Sequence, residues 1–367
     1  MVGFVAVRVF QYQSSSGAET VNEQQSRSSP HVIPRAGFSQ LAPAYVVVGG
    51  GSLPESNEVQ IEQDVLLAQQ AFGLNGWILF AGGPGTNGVQ VQAEKVRGDP
   101  LLLELSQLFS PRRGRDARYR RARVSATYSA TKANVMRALS RALSMERKEP
   151  LKVLFLGHGD KGESRRDNVA LLWGHGTLSV SEYAELLETS PSVASVTVAT
   201  GCFSGGFAEL IFRNGDVSNG MSPASRCGLF STTWDLEAAG CDPDPDRRQQ
   251  EGYGLHFFNA LRGNDREGLA LPIADLDMDR DGSISFLEAH SRVRIASLAA
   301  DVPTTTSERW LRYIGPQTPQ EAVVALPEED AVIAQLSQRL ALPVSDSKDI
   351  AASQFAELQS EIDVQIT

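Results

Sequence analysis

The sequence predicts an α/β protein with a mostly parallel central sheet and helices on both faces. Three observations predict it. Short apolar, β-branched runs end in glycine-rich loops, and these runs alternate with stretches of helical periodicity. The chain of 367 residues, 41% hydrophobic with 15 phenylalanines, also has the material for a large packed interior. Strand and helix alternating in this way imply right-handed crossovers, and ligands in such sheets gather at the carboxyl ends of the strands.

Residues 1–42 are expected to form a mobile N-terminal arm, because 11–30 are Ser/Gln-rich, lack periodicity and cannot offset the entropy of ordering by burial. Order begins at residues 45–48, a Tyr-Val-Val-Val strand that runs into Gly49, Gly50 and Gly51. Val59, Glu62, Val65, Leu66 and Gln69 then recur at helical spacing, with Ser56 as N-cap and Gly73 as stop. A second strand at 77–80 spills into another glycine-rich loop. Further along come helix 131–143, strand 152–156, helix 181–188, strand 195–199, helix 205–213 and strand 228–233, so residues 43–270 make the main domain. The basic block 111–123 reads as a solvated surface loop, a cleavage-prone connection or a contact for an acidic partner. Amphipathic stretches at 330–340 and 350–362 predict a C-terminal helical appendage over 301–367, packed on the sheet domain or on a neighbour.

Composition narrows the function. A net charge of -10 argues against a nucleic-acid binder, and the absence of an apolar run of ~20 residues argues against a membrane span. Residues 4–10 are apolar but broken by Arg8, with no small-residue cleavage site behind them, so no secretory signal is expected. Three cysteines are too few for a disulfide framework, and a reducing cytoplasm is the expected compartment. Cys227 and Cys241 flank an extended segment spanning ~23 Å and are read as free thiols.

The strand exits carry the chemistry. Strand 152–156 ends in Gly157, His158, Gly159 and Asp160; strand 195–199 ends in Thr200, Gly201, Cys202, Phe203, Ser204 and Gly205. Either residue alone is a weak signal, since a lone strand-end histidine or buried cysteine is usually structural. Together, at the ends of sequential parallel strands, they can meet as a Cys/His dyad, with a helix N-terminus and an imidazolium favouring the thiolate. The main-chain N–H groups of Gly159 and Cys202 then form the expected oxyanion hole. His175, in a second His-Gly dipeptide within a short hairpin or lid, is a rival base, and His256 is expected on a helix surface.

The blocks VLFLGHGDKG and VTVATGCFSGGF, set in a βαβ sheet, resemble the legumain, caspase and metacaspase superfamily of cysteine peptidases, and the legumain-like branch more than the caspases. The likeness covers roughly residues 43–263. It implies a caspase-like fold, an endopeptidase acting on a peptide or protein substrate, and a pocket lined by Thr233, Trp234, Asp235 and Glu237. Metacaspases carry Asp two residues before the nucleophile, where this chain has Thr200, so their pocket chemistry does not transfer. Asp235 and Glu237 are expected either to select Arg or Lys, or to face solvent or pair with Arg247 and Arg248, leaving a pocket for Asn or Asp.

Asp277, Asp279, Asp281, Ser283, Ser285 and Glu288 fill the ligand positions of an EF-hand-type loop, with Gly282 at the turn and Ile284 pointing inward. Ca2+ is the expected ion, structural or activating. GLALPIAD before the loop reads as extended, so residues 271–300 resemble a single dockerin-like half comprising a loop and its exiting helix. Two other functions stay open: a non-catalytic calcium-binding interaction module on a peptidase-like scaffold, and an α/β-hydrolase with Cys202 as nucleophile and His256 as base.

Overall fold

The computed structural model describes residues 41–92, 117–315 and 326–339. The expected N-terminal arm up to residue 40, residues 111–116 of the basic block and the helix at 350–362 lie outside the described residues. The chain folds around a six-stranded sheet of order β11-β10-β9-β5-β1-β2, parallel except for its edge strand β11. These strands are β1 (Tyr45–Gly50), β2 (Gly76–Phe80), β5 (Leu151–Gly157), β9 (Ser195–Ala199), β10 (Arg226–Phe230) and β11 (Thr304–Thr305). Strand β1 is buried along its whole length, as a strand covered on both faces must be.

Two apolar cores fill those faces. On one side α2 (Lys132–Leu143) and α3 (Val180–Glu188) pack Val135, Leu139, Tyr183 and Leu187 against Val46, Val153 and Phe155. On the other, α1 (Val59–Phe72), α4 (Tyr253–Leu261) and α5 (Phe286–Ala296) bring Val65, Phe257, Phe258 and Val293 against Val47, Leu154 and Val198. Residues 271–300 therefore share a core with the sheet. The edge strand β11 completes the sheet and α6 (Thr306–Ile314) packs beside β10, with Arg309 gripping the buried Glu209 through two hydrogen bonds of 2.6 and 3.1 Å. Of the expected appendage, only α7 (Pro327–Arg339) is described beyond α6, and it packs on α5.

Small differences from expectation have local causes. Ser56 closes a 3-10 turn, Pro54–Ser56, and Glu58 is the N-cap of α1. The segment after Cys202 winds as a 3-10 helix, Ser204–Ile211, and its Gly205 and Gly206 press against backbone: a Cβ on either would sit 2.6 Å from the carbonyl oxygen of Thr232 or of Arg165. Part of the basic block is ordered structure: β4 (Ala117–Arg120) pairs antiparallel with β3 (Val89–Gln92), and Arg120 grips the fully buried Glu62. His256, expected on a helix surface, is buried, its Nε2 2.9 Å from Glu251. Among the described helices none is long and apolar enough to cross a membrane.

Candidate active site

The order β10-β9-β5-β1 places four carboxyl ends side by side, and each exit loop contributes to one site. Phe155 of β5 pairs in register with Ala199 of β9, so His158 and Cys202 each stand three residues beyond the same rung. Two glycines let these exits run close. A Cβ on Gly159 would lie 2.2 Å from the Cys202 carbonyl oxygen, and one on Gly201 would lie 2.6 Å from that of Gly157. A first role of these glycines is thus loop against loop.

Leu171 donates to the His158 carbonyl, which makes Gly159 and Ala170 a non-hydrogen-bonded pair between β6 (Gly159–Asp160) and β7 (Val169–Leu172). The Gly159 N–H therefore stays outside that ladder. The N–H of Cys202 likewise has no backbone partner among the described residues. Phe203 follows in the left-handed region, φ 58°, and its N–H is held by the Leu236 carbonyl at 2.8 Å.

The loop leaving β1 supplies what holds the imidazole. His158 Nε2 lies 2.9 Å from the Ser56 carbonyl oxygen and 3.0 Å from a Glu58 carboxylate oxygen, both acceptors, so the proton sits on Nε2. Burial disfavours the imidazolium, but hydrogen bonds and charge from Cys241 and Glu58 outweigh it and raise the His158 pKa far above its ordinary value. Burial also raises the Cys241 pKa, with His158 opposing.

The loop leaving β10 covers the thiol. Ala238 donates its N–H to Cys202 Sγ at 3.4 Å, and Ala239 N–H is held by the Asp301 carboxylate at 2.8 and 3.1 Å. Gln60 of α1 laces the same loop down, accepting from Asp242 N–H and donating to the Glu251 carbonyl, both at 2.9 Å. Cys241, in the left-handed region at φ 61°, is thereby delivered beside His158; all three cysteines are free.

The expected pocket residues are placed less tightly. Asp235 and Glu237 are exposed, and Asp235 accepts the Thr233 hydroxyl at 2.8 Å. Arg247 and Arg248 pair instead with Asp64 and Asp246. The Trp234 ring carries Lys161 and Arg165 over it, each 5.2 Å from the centroid, while Asn168 bridges the carbonyls of Phe203 and Trp234 at 2.9 and 2.7 Å. His175 is exposed at the turn from β7 to β8 (Gly176–Ser179), with φ 60°. His256 lines a cavity with Arg266, Arg292 and Arg339, and Cys202 lines a different one with His158 and Gly159.

The acidic loop stands apart. Asp277 accepts the N–H groups of Asp281 and Gly282 at 3.0 and 2.9 Å, and Gly282 takes φ 89°. Glu288 accepts from Met278 and Ser285, and the Ser285 hydroxyl is spent on capping α5 through the Glu288 N–H at 3.1 Å. Ser283 donates its N–H to Asp281. Oxygens of Asp277, Asp279 and Asp281 lie within 4.8 Å of one another, as do those of Asp279, Glu288 and Glu328. Glu328 comes from α7 and is 6% exposed; burial, then the Glu288 and Asp279 charges, push its carboxyl up against its own backbone N–H.

Sequence reasoning missed Ser56, Glu58, Ala238, Cys241 and Glu328. The strand-exit rule could have found Glu58, a carboxylate in the first exit loop. No sequence signal marks Glu328. No protein-family model matches the chain, and no curated protein matches it.

Proposed function

We propose that the chain is a caspase-like cysteine endopeptidase in which Cys202 is the nucleophile and His158 the acid-base partner. The observation that carries the reading is the shared rung: thiol and imidazole leave neighbouring parallel strands at equal distance, beside two N–H groups outside the ladder. Cys202 attacks the scissile carbonyl, whose oxygen turns to the N–H groups of Gly159 and Cys202. Ser56 and Glu58 occupy Nε2, so Nδ1 is the nitrogen that takes the Cys202 thiol proton and gives it to the leaving amine as the C–N bond breaks. Water then hydrolyses the acyl-enzyme. The segment carrying Ala238 lies on the thiol and moves aside for substrate.

The acidic loop is proposed to take one Ca2+. Its donors are carboxylate oxygens, which suit a hard cation, and those of Asp279, Glu288 and Glu328 lie within 4.8 Å of one another. When bound, the ion ties α7 to α5. The test is labelling with a peptide that carries a thiol-reactive electrophile, read by intact mass and peptide mapping. Modification at Cys202, lost in Cys202→Ala together with peptide hydrolysis, is expected; hydrolysis that survives Cys202→Ala overturns the reading.

A further inference from the structure

We propose that Glu58, His158 and Cys241 form a site for a single Zn2+, held between three strand-exit loops. The ligand atoms of the three lie within 4.8 Å of one another, and none of the three is fully exposed. Glu58 comes from the exit of β1, His158 from that of β5 and Cys241 from that of β10, so the cluster exists only in the folded chain. The 3.0 Å between Glu58 and His158 Nε2 is close to the edge of a zinc tetrahedron, ~3.3 Å for bonds of ~2.0 Å, and the Cys241 sulfur, within 4.8 Å of both, closes to its own edge of ~3.6 Å on binding.

The donor set selects the metal. One thiolate, one imidazole and one carboxylate match the borderline-soft zinc ion, whereas Ca2+ and Mg2+ take oxygen donors. On binding, Cys241 gives up its thiol proton and His158 the proton on Nε2. Three protein ligands leave a fourth position, filled by water or by the thiol of Cys202, which lines one cavity with His158. The backbone prepares the site: Cys241 is held in the left-handed region, and Gln60 and Asp301 pin the loop on either side of it.

The inference deepens the peptidase reading, on which its functional consequence rests. Zinc bound here engages His158 and fastens the loop whose Ala238 N–H lies on Cys202, so the metal-bound form is latent. Metal removal then activates.

The binding test does not depend on activity. Co2+ is added as a spectroscopic probe to the full chain, with Ca2+ in excess to occupy the acidic loop. A thiolate-to-cobalt charge-transfer band with intense four-coordinate visible bands is expected, displaced by one equivalent of Zn2+. Cys241→Ser abolishes the charge-transfer band and Cys202→Ala retains it. Glu58→Gln, which leaves both thiols in place, weakens Zn2+ binding by ~10-fold or more in calorimetry. Thermal melts of each variant confirm that it is folded. A wild-type chain without the band, or a band that survives Cys241→Ser, overturns the site. Hydrolysis that depends on Cys202 and is untouched by stoichiometric Zn2+ overturns the latency and leaves the peptidase reading standing. A zinc site in a chain that hydrolyses nothing after chelation does the reverse.

Discussion

The strand-exit site and the acidic loop are built on opposite plans. At the strand exits, Ser56, Glu58, His158, Cys202, Ala238 and Cys241 come from four loops that meet only because β10, β9, β5 and β1 are neighbours. In the acidic loop, residues 277–288 satisfy one another through bonds such as those from Asp281, Gly282 and Ser285 N–H groups to Asp277 and Glu288. The first site is assembled on loops that leave the ends of neighbouring strands of one sheet. The second is a local turn, and what fixes it to the molecule is Leu276 and Ile284 in the core, with Glu328 reaching in from α7. A site assembled from afar can couple groups of unlike chemistry; a local turn converges like charges.

The largest expected effect breaks the first region alone. Cys202→Ala or His158→Ala lowers kcat/KM for a peptide substrate by ~10³-fold or more, because nucleophile and base act as a unit, while the exposed His175→Ala keeps most of the rate. Steady-state assays of the three variants check it. Loss with His175→Ala and survival with His158→Ala would invert the assignment.

The second region breaks separately. Asp277→Ala or Glu288→Ala removes the rise in Tm on adding Ca2+, a stabilisation of ~2.7 kcal/mol when free ion stands at ~100 times Kd. Glu328→Gln removes part of that rise and Ser283→Ala less. Scanning calorimetry with and without chelator measures all four. A calorimetric titration of wild type that registers no Ca2+ binding removes the ion from the proposal.

Specificity sharpens the comparison within the first region. With Asp235 exposed and tied to Thr233, and two cations over Trp234, turnover is expected to favour Asn or Asp before the scissile bond. Asp235→Ala should change kcat/KM less than ~3-fold, the ordinary outcome for an exposed charge. A fluorogenic panel in which Arg substrates lead and Asp235→Ala abolishes them would restore the cationic pocket.

The smallest effect lies near the joint between the two regions, where α4 and α5 pack. Burial lowers the His256 pKa more than Glu251 raises it, so the unfolded chain takes up this proton first. The group's contribution to stability is complete above its unfolded value, ~6.5, and is lost as pH falls below it toward the lowered folded value. A shallower acid limb of Tm against pH in His256→Gln is the expected result; an unchanged slope would refute it.

Residue types and spacing determined the alternation of strand and helix, the strand at 195–199 to the residue, the inward anchor Ile284 and the two exits carrying His158 and Cys202. These are local matters, since apolar periodicity and glycine-rich exits act over a few neighbouring residues. The tertiary structure alone decided that the edge strand β11 belongs to the sheet, that Arg120 of a basic block answers the buried Glu62, and that His256 is interior. It alone brought Glu58 and Cys241 to His158 and Glu328 to Glu288, pairs separated by tens of residues in sequence. Strand order and loop closure set those meetings. A chain's own pattern encodes each strand's faces but not which strand lies beside it, so the partners of a charge become legible only once the sheet is assembled.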